Sequence, residues 1–482
     1  MNELMNFKKI HFVGIGGVGM SAIASVLLSR GFQVSGSDAS ENDGTRRLAS
    51  AGAAVFHGHR SENIDGADLV VTSSAIRPSN PERQAAADRG RPIWRRAKVL
   101  AEIMRAGKGL AISGTHGKTT TTSMMSIALL EAGLDPTALI GGDVPLFGSN
   151  ARCGAGEWVV AEADESDASM LEMDPDRVVV TNIEADHLDY YRDLDHILDT
   201  FANFLSRIRP GGKAIACIDC PNVRKLLAMG NWPVLTYSLR DSKADICARD
   251  VRHLVQGGAL RFTPVFRGQA LAPVRLKIPG LHNVANALAV ILTALDLGCD
   301  YDAVARALSL YTGAKRRFQV KGISQGVTVV DDYAHHPTEI RATLAAARAS
   351  LKTQKQARRI VGIFQPHRYS RTASLAIEFG QSFVDADMIV VTDVYGAGED
   401  PIEGVSGSSI FKHVMTSGHP DAYYIPRQVD ILEFLRPRLR EGDWLFTLGA
   451  GDVWRVGENI LSDLKSRESS RPSPESPMLA AS

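Results

Sequence analysis

A chain of 482 residues is too long for one ordinary core, and at roughly 100 to 200 residues per domain it implies two to four, with three expected. Hydrophobic residues at 44% and charged residues at 22% exclude general disorder and fit a soluble globular protein. Lysine plus arginine equals aspartate plus glutamate at 54 each, which excludes a global basic field for nucleic acid and leaves anionic substrates to be met locally.

The first hundred residues alternate strand and helix. Lys8 and Lys9 precede an uncharged run, Ile10 to Leu28, laid out like a signal peptide, but Gly14, Gly16, Gly17 and Gly19 suit a strand turning sharply into a helix. Apolar runs at Ile10 to Val13, Gln33 to Ser35 and Leu69 to Thr72 give a parallel α/β pattern. A second block opens with the strand Gly109 to Ser113, a glycine turn and a long helix from Thr119. Strands at Trp158 to Ala161 and Val178 to Thr181 follow, then a helix around Ile197 to Ile208 and an apolar helix from Asn283 to Leu297. The basic cluster Lys315-Arg316-Arg317 marks the next boundary. Beyond it, Val327 to Val330, Arg359 to Phe364, Met388 to Thr392 and Trp444 to Leu448 are strands of a third α/β domain. The expected domains are 1–107, 108–314 and 315–465, and the Ser-, Pro- and Glu-rich segment 466–482 is expected to be a disordered tail. No segment offers about 18 continuous apolar residues, so no membrane span is expected. Five cysteines, with one close pair at Cys217 and Cys220, make neither a disulfide framework nor a structural zinc site, and a reducing cytoplasm fits.

Gly14-x-Gly16-x-x-Gly19 lies between strand and helix, with Asp38 at the end of the next strand, as in a dinucleotide fingerprint. Bare amides at a helix start bind any diphosphate and an acid on the second strand accepts from any nucleoside, so a UDP-sugar satisfies it as well as NAD. Gly114-Thr115-His116-Gly117-Lys118-Thr119-Thr120 has the form of a phosphate cradle: glycine amides toward phosphate oxygens, Lys118 on the β and γ phosphates, the Thr119 hydroxyl for Mg²⁺. It departs from the general phosphate-loop pattern, because Ile112 stands where that pattern has its first glycine. Glu162, Asp164, Glu165 and Asp167 crowd the next strand end with oxygen ligands suited to Mg²⁺. Asn182 to His187 brings a histidine to the same sheet edge, either as a metal ligand or as a structural residue.

These motifs, in this order, resemble those of the Mur ligase family: Gly-Thr-x-Gly-Lys-Thr/Ser at Gly114 to Thr119, a strand-end glutamate at Glu162, and Thr-Asn-Ile-x-x-Asp-His at Thr181 to His187. His282-Asn283-x-x-Asn286-Ala287 resembles the family's adenine-side segment, and Lys315 to Phe318 its basic hinge. Asp331-Asp332-Tyr333-Ala334-His335-His336-Pro337 and Phe364 to Arg371 look like the C-terminal motifs of the branch that adds L-alanine to UDP-N-acetylmuramate. The likeness spans roughly residues 8 to 455.

The resemblance implies an α/β protein of three domains: an N-terminal Rossmann-like UDP-binding domain, a central phosphate-loop ATPase and a C-terminal Rossmann-like domain. It implies ATP and Mg²⁺ as cofactors, and a monomer or weak homodimer with no nucleic-acid or membrane partner. Implied catalytic residues are Lys118, His187, His335, Arg368 and Arg371, and implied metal ligands are Thr119, Glu162 and His187. ATP would meet Gly114 to Thr120, His282, Asn283, Asn286 and Arg317. The other substrates would meet Gly14, Gly16, Gly17, Gly19, Asp38, Ser73, Ser74, Tyr333, His335, His367, Arg368 and Arg371. Asp331 and Asp332 are expected either to project with His335 into a cleft or to cap the following helix. A carbamoylated lysine, which later ligases of the family often use, has no assigned counterpart here. Three rivals stay open: a recycling ligase that attaches an intact tripeptide to the same UDP-sugar, a dinucleotide-dependent oxidoreductase, and a nucleotide-binding switch without ligase chemistry.

Overall fold

In a computed structural model, residues 3–254, 259–352 and 359–469 are described. The chain divides into two compact units, Met1–Lys315 and Arg316–Ser482. The first unit carries two sheets and the second carries one.

The N-terminal sheet is fully parallel, in the order Ala54–His57, Gln33–Asp38, Lys9–Val13, Leu69–Thr72, Ile93–Arg95. Helices cover both faces, which is why Leu-Val-Val-Thr at 69–72 is apolar without alternation and buried throughout. The strand order reverses at Lys9–Val13, and Gly14 to Gly19, Asp38 and Ser73 lie at the C-terminal ends of this strand and its two neighbours.

The second sheet is parallel at its centre: Lys213–Cys217, Arg177–Val180, Lys108–Ser113, Trp158–Glu162, Thr137–Val144. Its switch strand is Lys108–Ser113, and the phosphate loop, Glu162 and Thr181 leave from adjacent strand ends. An antiparallel extension, Ile246–His253 against Leu260–Phe266, was not legible as such in the sequence. Helix Arg96–Arg105 ties the two sheets into one core, its Val99, Leu100, Ile103 and Met104 clustering with Phe12, Ile23 and Leu27 on one side and Met170, Phe201 and Phe204 on the other. Arg47 pairs with Asp143 at 2.8 Å and Arg96 with Asp164 at 3.3 Å across the same junction.

The second unit is a sheet in the order Gln319–Ser324, Val327–Asp332, Trp444–Leu448, Ile360–Phe364, Met388–Val391, Ala422–Tyr424, antiparallel only at its first pair. Its last helix, Trp454–Ser469, continues into 466–469, where the composition implied a disordered tail. Glu468 accepts from the Ser324 hydroxyl at 2.7 Å and Arg467 pairs with Asp463 at 3.1 Å, contacts that composition does not encode. The rest of that tail, 470–482, lies outside the described residues. Among the described residues no helix is long and apolar enough to cross a membrane.

Candidate active site

The phosphate loop begins where the switch strand ends. Gly114 takes φ +125° and Gly117, the residue before helix Lys118–Glu131, takes φ +86°, so the helix starts with no side-chain cap and its N–H groups face outward. Ile112 is a buried strand residue, which explains the missing first glycine: this loop is shorter and begins at Gly114. What the loop lacks in length is supplied by a bracket. The Thr181 hydroxyl donates to the His116 carbonyl at 2.6 Å, the Asn182 amide donates to the same carbonyl at 3.0 Å, and the Asn182 side-chain oxygen accepts from the His116 N–H at 2.9 Å. Glu184 N–H donates to the Thr115 hydroxyl at 2.9 Å. Thr120 is buried in the first helical turn.

Lys118 sits between two loop carbonyls and a carboxylate, donating to Gly114 O at 2.7 Å, Thr115 O at 3.2 Å and both Glu165 oxygens at 2.7 Å. Burial opposes its charge, but Glu165, Asp164 and Glu162 outweigh that and hold it above the ordinary lysine value. Glu165 is pushed up to about 7 by burial, against the pull of Lys118 and with the repulsion of Asp164. His187, in a left-handed backbone conformation at φ +55°, places Nε2 3.8 Å from Glu165 and 3.7 Å from Asp186. The Thr119 hydroxyl lies 3.1 Å from Glu162, whose other oxygen accepts the Gly141 N–H. A hydroxyl and a carboxylate side by side, with a second carboxylate beside a histidine, form the hard oxygen-rich set a divalent cation takes.

Asn283 and Asn286 are buried on helix Leu281–Asp296, where Asn286 faces the loop: a Cβ on Gly117 would stand 2.9 Å from its Oδ1. His282 is exposed at the start of the same helix and lies over Gly280.

In the N-terminal sheet, Gly17 precedes helix Val18–Ser29 without a side-chain cap, leaving amides open to an anion. Asp38 accepts from Gly16 N–H at 2.9 Å and Ser40 N–H at 3.1 Å while lining a cleft of about 520 Å³ with Thr45, Phe56 and His57. It therefore braces the glycine loop as well as facing the cleft. Ser73 and Ser74 line a second cleft of about 450 Å³ together with Arg83, Arg95, Asp167 and Tyr190, so this cleft joins the N-terminal sheet to the acidic strand end of the second sheet. Gly19 packs under Arg96, where a Cβ would stand 2.5 Å from the guanidinium.

In the second unit the structure gathers Tyr333, His335, His367, Arg368 and Arg371 at one edge of the sheet. His335 and His367 lie edge to face at 5.7 Å, and Arg371, buried, reaches His367 Nδ1 at 3.4 Å. Arg316 and Arg317 lie over the Tyr333 ring at 4.9 and 5.2 Å, and Arg317 stands 3.7 Å from Glu339. Asp331 and Asp332 are both buried, and the groups they hold lie elsewhere in the second unit than at the start of helix Pro337–Lys352, so the capping alternative does not describe them. Asp331 holds Arg316 at 3.0 Å and the Thr447 hydroxyl at 2.7 Å; Asp332 accepts the N–H groups of Phe318 at 2.7 Å and Ala334 at 2.8 Å. Burial pushes Asp332 up to about 6.

Sequence reasoning gave Glu165 no individual role, because nothing in a run of four nearby acids says which one turns inward. It also missed Tyr395 and Glu399. Tyr395 stacks on His367 at 5.7 Å, and Glu399 accepts from the Ser370 hydroxyl at 2.7 Å and lies 3.6 Å from Arg368. Their only signal was a Gly396-x-Gly398 turn after a strand, a long way along the chain from the residues they touch.

A glycine phosphate loop on a switch strand, an adjoining acidic and histidine edge, and an arginine and histidine cluster on a separate sheet define a phosphate-loop α/β enzyme. Three domain descriptions match in succession: "Mur ligase family, catalytic domain" at residues 9–108, "Mur ligase middle domain" at 112–294 and "Mur ligase, glutamate ligase domain" at 316–451. The chain belongs to the Mur ligase family. It is similar to the UDP-N-acetylmuramate–L-alanine ligases of Pelotomaculum thermopropionicum (45% identical, covering 96% of this chain and 98% of the relative) and Desulfatibacillum aliphaticivorans (48%, covering 94% and 98%). Among solved structures it resembles the UDP-N-acetylmuramate–alanine ligase of Thermotoga maritima, at TM-score 0.81, 30% identity and coverage of 95% and 99%. A murein peptide ligase of Psychrobacter arcticus gives TM-score 0.73 at 26% identity, covering 97% and 100%. Family membership removes the oxidoreductase reading of the first glycine motif.

Proposed function

We propose that this protein joins L-alanine to the carboxylate of UDP-N-acetylmuramate with ATP, giving UDP-N-acetylmuramoyl-L-alanine, ADP and phosphate, as a cytoplasmic step of peptidoglycan precursor synthesis. The observation that carries it is likeness along nearly the whole chain, at 45 to 48% identity, to ligases of that name. Among solved structures the alanine ligase of Thermotoga maritima fits at TM-score 0.81 and 30% identity, against 0.73 and 26% for the murein peptide ligase of Psychrobacter arcticus, the nearest rival in chemistry.

A carboxylate is a poor electrophile because its leaving group would be oxide. Transfer of the γ-phosphoryl group to it gives an acyl phosphate, from which phosphate leaves readily when the amine attacks. The loop Gly114 to Thr120 would cradle the ATP phosphates with the amides at the start of helix Lys118–Glu131, since the Thr115 and His116 N–H groups are held by Asn182, and Lys118 would turn part of its hydrogen bonding from Glu165 to the β and γ oxygens. Asn283, Asn286, His282 and Arg317 would bound the nucleoside. Thr119 and Glu162 fit Mg²⁺ by donor type and proximity, with His187 and Glu165 beside them for a second ion; such an ion would screen phosphate charge. The UDP diphosphate would lie against the glycine turn Gly14 to Gly19, on the first amides of helix Val18–Ser29, because the N–H groups of Gly14, Gly16 and Gly17 are held within the turn; Asp38 would stand toward the nucleoside. The sugar and its carboxylate would then run through the cleft of Ser73, Ser74, Arg95 and Tyr190 toward the phosphate loop, within the first unit. Tyr333, His335 and His367 would meet the amino acid, and Arg368 and Arg371 would steady the transferred charge.

The test is phosphate release from ATP and Mg²⁺ with UDP-N-acetylmuramate, comparing L-alanine, L-Ala-γ-D-Glu-meso-diaminopimelate and no amine. Release that follows L-alanine, with a matching amide product, is expected; dependence on the tripeptide would move the protein to recycling. Glu162→Gln should raise the Mg²⁺ concentration needed for half-maximal turnover by about tenfold or more, since a charged ligand becomes a neutral one. An unchanged Mg²⁺ requirement would remove Glu162 from the metal site.

A further inference from the structure

Two histidines meet in the second unit, and their partners force opposite tautomers on them. His335 Nδ1 lies 2.8 Å from the Tyr333 carbonyl oxygen and 3.3 Å from the Glu339 carboxylate. Both neighbours only accept, so Nδ1 carries the hydrogen and Nε2 holds a lone pair when the ring is neutral. The same Glu339 accepts the His335 backbone N–H at 3.1 Å, which fixes it beside the ring. His367 is the reverse case. Its Nδ1 faces the Arg371 guanidinium at 3.4 Å, a group that only donates, so Nδ1 accepts and the hydrogen sits on Nε2. Tyr395 stacks on this ring at an interplanar angle of 10° and His335 meets it edge-on, so its orientation is fixed.

The charges around the two rings also differ. His335 has a carboxylate against its protonated nitrogen, which stabilises an imidazolium. His367 has burial, His335, Arg371, Arg368 and Arg316 against it, and these hold it down to about 3. An amino acid arrives as an ammonium with no lone pair, so one proton must leave before nitrogen can attack an acyl phosphate. Glu339 and the Tyr333 carbonyl favour a proton on one ring of this pair, and the arginines disfavour a second proton on the other.

We propose that His335 Nε2 is the base that deprotonates the amino-acid ammonium, with Glu339 as its positioning residue, while His367 stays a neutral Nε2–H donor to the amino acid's carboxylate. This rests on the ligase reading. The N–H bond breaks with its electron pair left on nitrogen, and the proton goes to His335. That nitrogen then forms the bond to the acyl carbon, phosphate leaves with the carbon–oxygen pair, and the second amine proton departs with the phosphate. Keeping His367 neutral keeps one more positive charge away from a cationic substrate that must enter beside three arginines.

Hydroxylamine separates the steps, because it is already unprotonated at neutral pH and traps an acyl phosphate as the hydroxamate without a base. His335→Asn keeps a donor where Nδ1 stands and deletes Nε2. In the full-length protein it should lower kcat for L-alanine by about 100-fold while hydroxamate formation stays within about threefold of wild type. Glu339→Gln should give the same selective loss at about tenfold. Parallel loss of both products, or loss of neither, would overturn the base assignment. Wild-type protein that makes neither product would fail the ligase reading first and this proposal with it. For the donor, His367→Ala should raise KM for L-alanine by about tenfold with kcat little changed, and His367→Gln, which keeps an N–H near Nε2, should restore most of it. Equal losses in the two variants would overturn the donor role.

Discussion

Lys118→Met should abolish ATP turnover, lowering kcat by about 10³-fold, the scale of losing a preorganised charge at a transferring phosphoryl group. The variant should also be less stable, for a reason separate from catalysis. Glu165 is buried and both its oxygens rest on Lys118 at 2.7 Å. Removing one member of such a pair leaves an uncompensated charge, which costs about 3–5 kcal/mol unless the group neutralises itself. Glu165 can do so, since it sits at about 7 even beside the lysine. The expected deficit is therefore smaller, about 2 kcal/mol, and depends on pH. Without Lys118 the carboxyl rises further above its unfolded value, so the folded variant binds that proton more tightly than the unfolded chain does. Its stabilisation is present at low pH and lost as pH rises through the folded pKa. Thermal unfolding should accordingly show a larger gap from wild type at about pH 8.5 than at about pH 6. Adding Glu165→Gln should recover the stability and none of the turnover. A single variant with kcat within tenfold of wild type would remove Lys118 from the phosphate site.

The same pair illustrates what the sequence carried and what it did not. Apolar runs such as Leu69 to Thr72 and Trp158 to Ala161 placed the strand ends, because strands buried on both faces need continuous apolar residues whatever surrounds them. Once those strand ends were placed, Gly114 to Thr120, Glu162 and His187 had to meet at one edge. Local spacing also exposed Lys118. Its partner was another matter: which of Glu162, Asp164, Glu165 and Asp167 turns inward is decided by the path of the chain after the strand, and Tyr191 donating to the Glu165 carbonyl helps set that path from a separate element. Asp331 and Asp332, left open in the sequence between a cleft and a helix cap, meet the same limit. A strand-end carboxylate reads as a cleft residue until Arg316, Thr447 and the Phe318 N–H fold onto it. The Tyr395 and Glu399 loop was illegible because its contacts are with the segment that follows the neighbouring strand, Ile360–Phe364.

Gly114→Ala against Gly133→Ala tests the bracket that replaces the missing part of the phosphate loop. Both glycines have positive φ, +125° and +80°, so each alanine takes a conformation L-residues resist. They differ in what surrounds them. Nothing lies within 4 Å of a Cβ at Gly133, just past the helix that follows the phosphate loop. A Cβ at Gly114 would overlap the Thr181 hydroxyl and stand 2.8 Å from the Asn182 carbonyl oxygen and 3.0 Å from its nitrogen. Gly133→Ala should therefore cost about 1 kcal/mol of stability, the conformational part alone, with turnover near wild type. Gly114→Ala adds overpacking against backbone, about 1–3 kcal/mol more. It must also move Thr181 and Asn182, which hold His116 and lead to His187. A shift of that segment by a fraction of an ångström misplaces the histidine edge relative to the phosphate loop, and turnover should fall by about 100-fold or more. Thermal unfolding and steady-state phosphate release on both variants separate the two contributions. Equal effects from the two alanines would mean that Gly114 is kept for its backbone conformation only. A larger activity loss at Gly114 than its stability loss explains would place the Thr181 to His187 segment as the rigid wall that this shortened loop is pressed against.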